Sequence, residues 1–511
     1  MKRVRSLSPE FLSIITGILF TLSFPPFDLS FLAWFAWIPL WIGLERSGWR
    51  NGFRLGYLSG LIFTLGSLNW IGNNSGTSFL IAASSMIGSV LYLSIYFGLF
   101  GYLLGKGGQV YGNRVFLFAP LVWSGIEYIY CWGFMGFPWI SLAMTQNLFL
   151  PVQQLAEYGG IYIVSTWVLL INSAIYAIEF MDRTGRQQKL YWTGLTVFII
   201  ATFAFGGVRI WQTSHTDSPT LGVGVVQNNV EPRDKWVREK KQLHVEKLLS
   251  QTDLARLEGA KVVIWPETAV PAYLMYYASL YNKINQFVNQ NDISILTGSL
   301  HHSSLNSEIQ TYNAAFFFSP DSEVKLYYKQ HLVPFAERLP LVDVFPWLKI
   351  LNFGQANFTP GTESSIYPLG SRSESANFGA MICYESSDPV LFRQFVLNGV
   401  QIMTIITNDG WLGHSLGPYQ HLAIARLRSI EHRIPIVRSA QTGISAYIRP
   451  NGIIDHRILL NHAGYFVVNV PTKHAETIYT KWGDWFGMLM VLGLIVWTSR
   501  TLFLLKKRVA R

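Results

Sequence analysis

The sequence predicts two joined architectures: a multi-span α-helical membrane region, and an α/β layered domain placed before its last span. Three observations predict them. Only 14% of the 511 residues are charged and 50% are hydrophobic, whereas soluble domains carry about a quarter charged residues. The shortfall sits in long uncharged runs bordered by Lys and Arg. From about residue 218 to 475 the composition changes, and short apolar runs alternate with helical stretches, the pattern of an α/β domain.

Seven apolar runs precede residue 210, near 9–24, 29–44, 55–72, 79–104, 115–131, 161–179 and 190–208, and an eighth lies near 485–505. The first two are short and also fit a re-entrant pair. Lys2, Arg3 and Arg5 precede the first run as in a signal peptide, but no small-residue cleavage site follows. The expected domains are therefore 1–210 for the first seven spans, 218–475 for the soluble domain and 485–505 for the last span.

Loop charges set the orientation. Arg46, Arg50 and Arg54 lie in one loop, Lys106 and Arg114 in the next but one, and Arg183, Arg186 and Lys189 after the sixth span. Lys506, Lys507 and Arg508 follow the eighth, while loops near 25–28, 73–78 and 132–160 hold no Lys or Arg. This positive-inside pattern puts both termini in the cytoplasm and residues after 210 on the far side. It also accounts for the net charge of +10 without nucleic acid. Glu127, at the outer end of the fifth span, reads either as a functional intramembrane carboxylate or as a local interfacial cap. Gly206-Gly207 and residues 481–485 read as the hinges into the membrane.

In the soluble domain, strands are expected at 221–226, 261–265, 293–297, 314–318, 323–329, 378–383, 402–407, 446–449 and 465–470. Helices are expected at 235–257, 278–290, 388–398 and 417–432. Three strands share one grammar. Val262-Val263-Ile264-Trp265-Pro266 ends on Glu267, the alternating run through Tyr328 ends on Lys329, and Phe378-Gly379-Ala380-Met381-Ile382 ends on Cys383. Reacting groups collect at strand ends in such domains. A thiolate is the nucleophile of a cysteine, a carboxylate in reach accepts its proton, and a fixed ammonium stabilises oxyanion charge. The competing reading of Cys383 alone is a buried structural thiol. Cys131 is the second of two cysteines, so no disulfide framework is expected.

Glu267, Lys329 and Cys383, in this order, resemble the triad of the nitrilase superfamily. Trp265-Pro266-Glu267-Thr268, the segment from Tyr328 to Glu337, and Thr407-Asn408-Asp409-Gly410-Trp411 more narrowly resemble the apolipoprotein N-acyltransferase family. Ala336 is a departure, since that family usually has Gly there. The resemblance covers nearly the whole chain. It implies a nitrilase-like four-layer αββα sandwich facing the periplasm from the bacterial inner membrane. It implies an acyltransferase that moves an acyl chain from a phospholipid, typically phosphatidylethanolamine, to the α-amino group of an S-diacylglyceryl-cysteine apolipoprotein through a Cys383 thioester. It makes Glu267 the base, Lys329 the charge stabiliser, Glu337 the support of Lys329, and Glu385 a further supporting carboxylate, expected to face the nucleophile in an extended turn. It places Trp236, Asn313, Tyr384 and Trp411 near substrate, where ordinary aromatic packing is the alternative.

No cofactor is expected. The histidines show neither His-Glu-x-x-His spacing nor cysteine partners, so no metal site is expected either. Two rival functions are a membrane-tethered nitrilase-type amidohydrolase and a lipoprotein-binding protein without chemistry. Residues 339–358 are more apolar than a solvated connection and hold Pro340 and Pro346. They read as an arm lying on lipid that gates acyl chains, or else as a core-packed connection.

Overall fold

The computed structural model describes residues 7–75, 77–133, 136–215, 218–305, 308–339, 341–342, 344–350, 356–369 and 376–509. They form two compact units: Met1–Trp70, Ser84–Ser214 and Thr477–Arg511 in one, Ile71–Ala83 and His215–Glu476 in the other.

The first unit is helical. Four stretches are long and apolar enough to cross a bilayer: Phe79–Cys131, Ala156–Phe180, Gly185–Ser214 and Trp485–Arg508; Pro9–Ser23 is apolar but shorter. The run expected at 29–44 is broken into a 3-10 turn, Ser30–Trp34, and a helix, Ile38–Arg46. Pro39 explains the break, because a proline fits only the first turn of a helix. Gly206-Gly207 is not a hinge, for the helix Gly185–Ser214 runs through it. A Cβ on Gly206 would strike the main chain of Pro151, so this glycine serves close packing. Glu127 is buried and accepts from Leu142 N (3.0 Å) and Tyr130 Oη (3.3 Å). Those contacts tie the 3-10 turn Leu142–Gln146 to the helix Ala119–Cys131.

The second unit is the αββα sandwich. Its strands are β1 (Thr220–Gln227), β2 (Val262–Ile264), β3 (Val270–Tyr273), β4 (Ser294–Leu305), β5 (Glu308–Phe318), β6 (Lys325–Tyr328), β7 (Ile366–Leu369), β8 (Ala376–Ile382), β9 (Ile402–Thr407), β10 (Ile436–Ala440), β11 (Ser445–Ile448), β12 (Ile454–Ile458) and β13 (Gly464–Pro471). One sheet runs β13-β1-β2-β4-β5-β6 with β3 beside β4, and the other runs β12-β11-β10-β9-β8-β7. β3, β7, β10 and β12 escaped the sequence reading. Pro271 and Pro368 interrupt two of them, Arg438 sits inside the third, and Asp455, His456 and Arg457 fill the fourth.

Period-2 alternation buries both faces of the first sheet. Val223, Val225, Val262 and Ile264 meet Phe378, Ala380 and Ile402 of the second sheet. Val226, Val263 and Trp265 point the other way, onto Val245 and Leu248 of the helix Lys241–Leu257 and Ile284 of the helix Ala278–Asn291. Phe392 and Phe395 of the helix Pro389–Leu397 join the core from the second sheet's side.

The first of these helices starts later than expected. A short turn, Pro232–Lys235, and a 3-10 turn, Arg238–Lys240, precede Lys241. Lys235 is buried and Val237 is extended, so the chain leaves helical register there.

Candidate active site

Three strand ends supply the triad residues. Cys383 directly follows β8, Lys329 directly follows β6, and Glu267 stands three residues beyond β2. β2 and β8 each run parallel to a neighbour, β4 and β9.

Lys329 is fully buried, and its Nζ lies 2.8 Å from Glu337 Oε2 and 3.8 Å from Glu267 Oε1. Asn313 Nδ2 donates to both carboxylates, at 2.7 Å to Glu267 and 3.1 Å to Glu337. Its carbonyl also accepts from Lys329 N (2.9 Å). Asn313 thus ties the two acids to each other and to the main chain of Lys329. Val333 N donates to Glu337 Oε2 (2.8 Å), closing the loop after Lys329 onto the same carboxylate.

Burial pushes the pKa of Glu267 up; Lys329 opposes this and Glu337 adds to it. Burial also works against the Lys329 ammonium, yet Glu337 and Glu267 outweigh it and its pKa is raised. Burial and then the Glu267 carboxylate push the Cys383 thiol up to about 12, against the pull of Lys329 and a hydrogen bond with Thr407. The resting thiol is therefore protonated.

Cys383 has φ +55°, in the left-handed region, which costs a non-glycine residue about 1–3 kcal/mol. The segment Cys383–Ser387 is a 3-10 turn, not the extended turn expected for Glu385. Glu385 folds back and is completely buried. Its Oε2 accepts from Ile382 N (2.7 Å). Its Oε1 accepts from Tyr327 Oη (2.7 Å), Gln330 N (2.6 Å) and His331 N (3.2 Å). Glu385 therefore locks the β8 end to the β6 end, so that nucleophile and ammonium share one frame.

A second cluster lies close to the thiol, and the sequence reading missed it. Asp409 Oδ2 accepts from Arg438 Nη2 (2.6 Å), and its Oδ1 accepts from Thr407 Oγ1 (2.9 Å). His421 Nδ1 is 3.0 Å from both Asp409 Oδ1 and Arg438 Nη2, while its Nε2 is 3.1 Å from the Cys383 carbonyl and 2.8 Å from Ser386 Oγ. Cys383, Asp409 and His421 bring possible metal-binding atoms within 4.8 Å of one another. The donor set does not suit a metal: both imidazole nitrogens are engaged and the guanidinium already compensates the carboxylate. The clue in the sequence was Arg438, a charge inside an apolar strand, which buries only with a partner.

The remaining expected residues sit on or beside three separate turns. Tyr384 is in the nucleophile turn, and its carbonyl accepts from Ser387 Oγ (2.8 Å). Trp411 is in the 3-10 turn Asp409–Leu412, whose carbonyl at 411 accepts from Ser75 N (2.9 Å). Trp236 is 42% exposed and borders a cavity of roughly 390 Å³ with Tyr273, Tyr276, Tyr277 and His302. Of the expected arm, residues 340, 343 and 351–355 lie outside the described residues. Pro346–Ile350 is a 3-10 turn; Phe345 (45%) and Trp347 (63%) are exposed, while Leu339 and Val342 of the same segment are buried.

Residues 16–174 match the family model of the apolipoprotein N-acyltransferase N-terminal domain, and residues 222–474 match that of carbon-nitrogen hydrolases. An amidase of the nitrilase superfamily from Nesterenkonia AN1 aligns over 50% of this chain and 92% of its own, at 15% identity and a TM-score of 0.38. The apolipoprotein N-acyltransferase of Chlorobaculum tepidum is 30% identical over 504 residues, 93% of each chain. That of Geobacter metallireducens is 30% identical over 497 residues, 95% of this chain and 94% of its own. Matched along nearly its whole length, with a helical membrane region and a nitrilase-like domain in the same order, this chain belongs to the apolipoprotein N-acyltransferase family.

Proposed function

We propose that this acyltransferase moves an acyl chain from a membrane phospholipid, such as phosphatidylethanolamine, to the N-terminal amine of a diacylglyceryl lipoprotein, with Cys383 as the covalent carrier. The relatives' names support lipoprotein N-acylation. The observation that carries the mechanism is the strand-end cluster of Glu267, Lys329, Glu337 and Asn313 beside the Cys383 thiol.

In the first half-reaction Glu267 takes the thiol proton as sulfur attacks the ester carbonyl. Lys329, with the Tyr384 N–H, stabilises the oxyanion. The C–O bond breaks, the proton passes to the departing alkoxide, and lyso-phospholipid leaves a thioester on Cys383. In the second, the lipoprotein amine attacks the thioester. Glu267 takes a proton from it, the C–S bond breaks, and the proton returns to sulfur. A free α-amine has a pKa of about 7.7–8.0, so a useful fraction is neutral at pH 7. Glu337 keeps Lys329 charged and in place, and Glu385 fixes the frame. Neither half-reaction needs a metal or an energy source.

The membrane topology follows the loop charges: eight spans in the bacterial inner membrane, both termini cytoplasmic and the catalytic unit periplasmic. In a Cys131→Ser, Cys383→Ala background, a Thr77→Cys probe should label from outside intact spheroplasts. Labelling from the cytoplasmic side alone would overturn the topology. For the chemistry, the decisive measurement is intact mass after incubation with phospholipid alone. A single acyl adduct on Cys383 with released lyso-phospholipid is expected. An adduct that decays in water as fast as it transfers to an amine would favour the amidohydrolase reading.

A further inference from the structure

Lys235 is a buried cation outside the triad. It is 1% exposed, at the end of the short turn Pro232–Lys235 and one residue before Trp236. Its ammonium has three donors and three acceptors in reach. It donates to Thr268 Oγ1 and to the Glu267 carbonyl (3.3 Å). With the Asn408 amide oriented so that its oxygen faces the donors, that oxygen accepts from Lys235 Nζ (3.0 Å) and from Trp411 Nε1 (2.8 Å). One side chain therefore joins the turn carrying Glu267 to the turn carrying Asn408, Asp409 and Trp411.

The Glu267 turn needs such a clamp. Thr268 has φ +44°, an outlier for a β-branched residue, and strained backbone persists only where its surroundings over-determine it. Gly298 backs the same turn from β4: a Cβ there would press on Thr268 N and come within 2.6 Å of Glu267 Cα. Gly298 and Lys235 thus both confine the turn.

A buried charge is a poor way to stabilise a fold, since an apolar side chain of similar volume usually does as well. Directionality is what an ammonium adds. We infer that Lys235 is a positioning residue for the acyl-transfer reaction, setting the angle and distance at which Glu267 meets the Cys383 thiol by holding the Glu267-Thr268 backbone against the Asn408–Trp411 turn. The inference rests on Glu267 being the base. The charged groups facing Glu267 are Lys329, Glu337 and Lys235, and burial lowers the pKa of Lys235 to about 7, so its charge is held at some cost.

The test is a double-mutant cycle on the full-length enzyme in detergent, read as the rate of acyl-enzyme formation per folded molecule by intact mass. Lys235→Met should slow acylation roughly tenfold while the melting temperature stays level or rises. In a Glu267→Gln background the same change should cost less than about twofold. The pH inflection of the rate should move upward in Lys235→Met, because a cation that favours ionised Glu267 is gone. A wild-type rate in Lys235→Met, or the same tenfold loss in both backgrounds, overturns the inference. If Lys235→Met does not fold, Thr268→Val serves instead: it removes one acceptor, keeps the branched shape, and should slow acylation several-fold only when Glu267 is present. An unchanged rate in Thr268→Val, or an equal loss in Glu267→Gln, also overturns it. Near-normal turnover of Glu267→Gln by itself would remove the base assignment, a result distinguishable from failure of the clamp.

Discussion

Two buried carboxylates lie near Cys383, and they are poised in opposite ways. Glu267 shares the Lys329 ammonium with a second carboxylate, Glu337, and stands 3.8 Å from it. Burial then dominates, and its pKa is raised. Asp409 is as deeply buried, yet Arg438 and His421 outweigh burial and hold its pKa below the usual carboxylate range. The difference lies in compensation. A carboxylate whose main compensating ammonium, Lys329, is shared with a second acid keeps a raised pKa, while one with a guanidinium to itself is held ionised. In the proposed mechanism the first moves a proton, while the second, the anchor, ties Thr407, Arg438 and His421 together beside the Cys383 turn.

The comparison breaks most completely at the thiol. Cys383→Ala should yield no acyl adduct, and Glu267→Gln and Lys329→Ala should each lose about 10²–10³ in acylation rate. Measurable turnover in Cys383→Ala would end the covalent mechanism. On the anchor side, Arg438→Met strands a buried charge and should cost roughly 3–5 kcal/mol of stability, read as a fall in melting temperature. The pH window follows from the sign. The folded carboxyl of Asp409 lies below its unfolded value of about 3.9, so its contribution is present above that pH and fades as pH falls through the folded value. Asp409→Asn should flatten this acid limb.

The base side carries a kinetic window instead. Acylation should rise with pH through an inflection above the ordinary glutamate value of about 4.3, because Glu267 acts only when ionised. Glu337→Gln removes a charge that raises Glu267 and frees Lys329 for it, so this inflection should move down while the rate also drops. The smallest effect is expected at the exposed apolar segment. Phe345→Ser with Trp347→Ser should slow acylation from bilayers by a few-fold and leave the melting temperature alone. Full activity on bilayers, or unfolding, would return the segment to ordinary packing.

The two clusters differ in legibility for a physical reason. Glu267, Lys329 and Cys383 each end an apolar run, so local sequence marks them. The anchor is assembled from the turn after β9, the helix Gly417–His432 and β10, and no local pattern announces three elements meeting. His421 was visible only as one histidine among several. Lys235 was hidden differently, because it opens the stretch 235–257 that reads as one helix, whereas the helix begins only at Lys241. The layered fold was legible because alternation and strand length survive in single segments. Strands holding Pro271, Pro368 or Arg438 were lost for the reasons that make those residues rare in strands.

The left-handed backbone at Cys383 sets the fold and its chemistry at odds. Glycine is the residue that this conformation prefers, so Cys383→Gly should melt higher than the parent while transferring nothing. The two differ by one base in the Cys codon, which leaves the nucleophile one mutational step from a more comfortable, inert protein. In the proposed mechanism, activity and not stability is what this position serves. Any redesign guided by thermal robustness alone would erase the thiol among its first improvements, so position 383 has to be frozen before such optimisation begins.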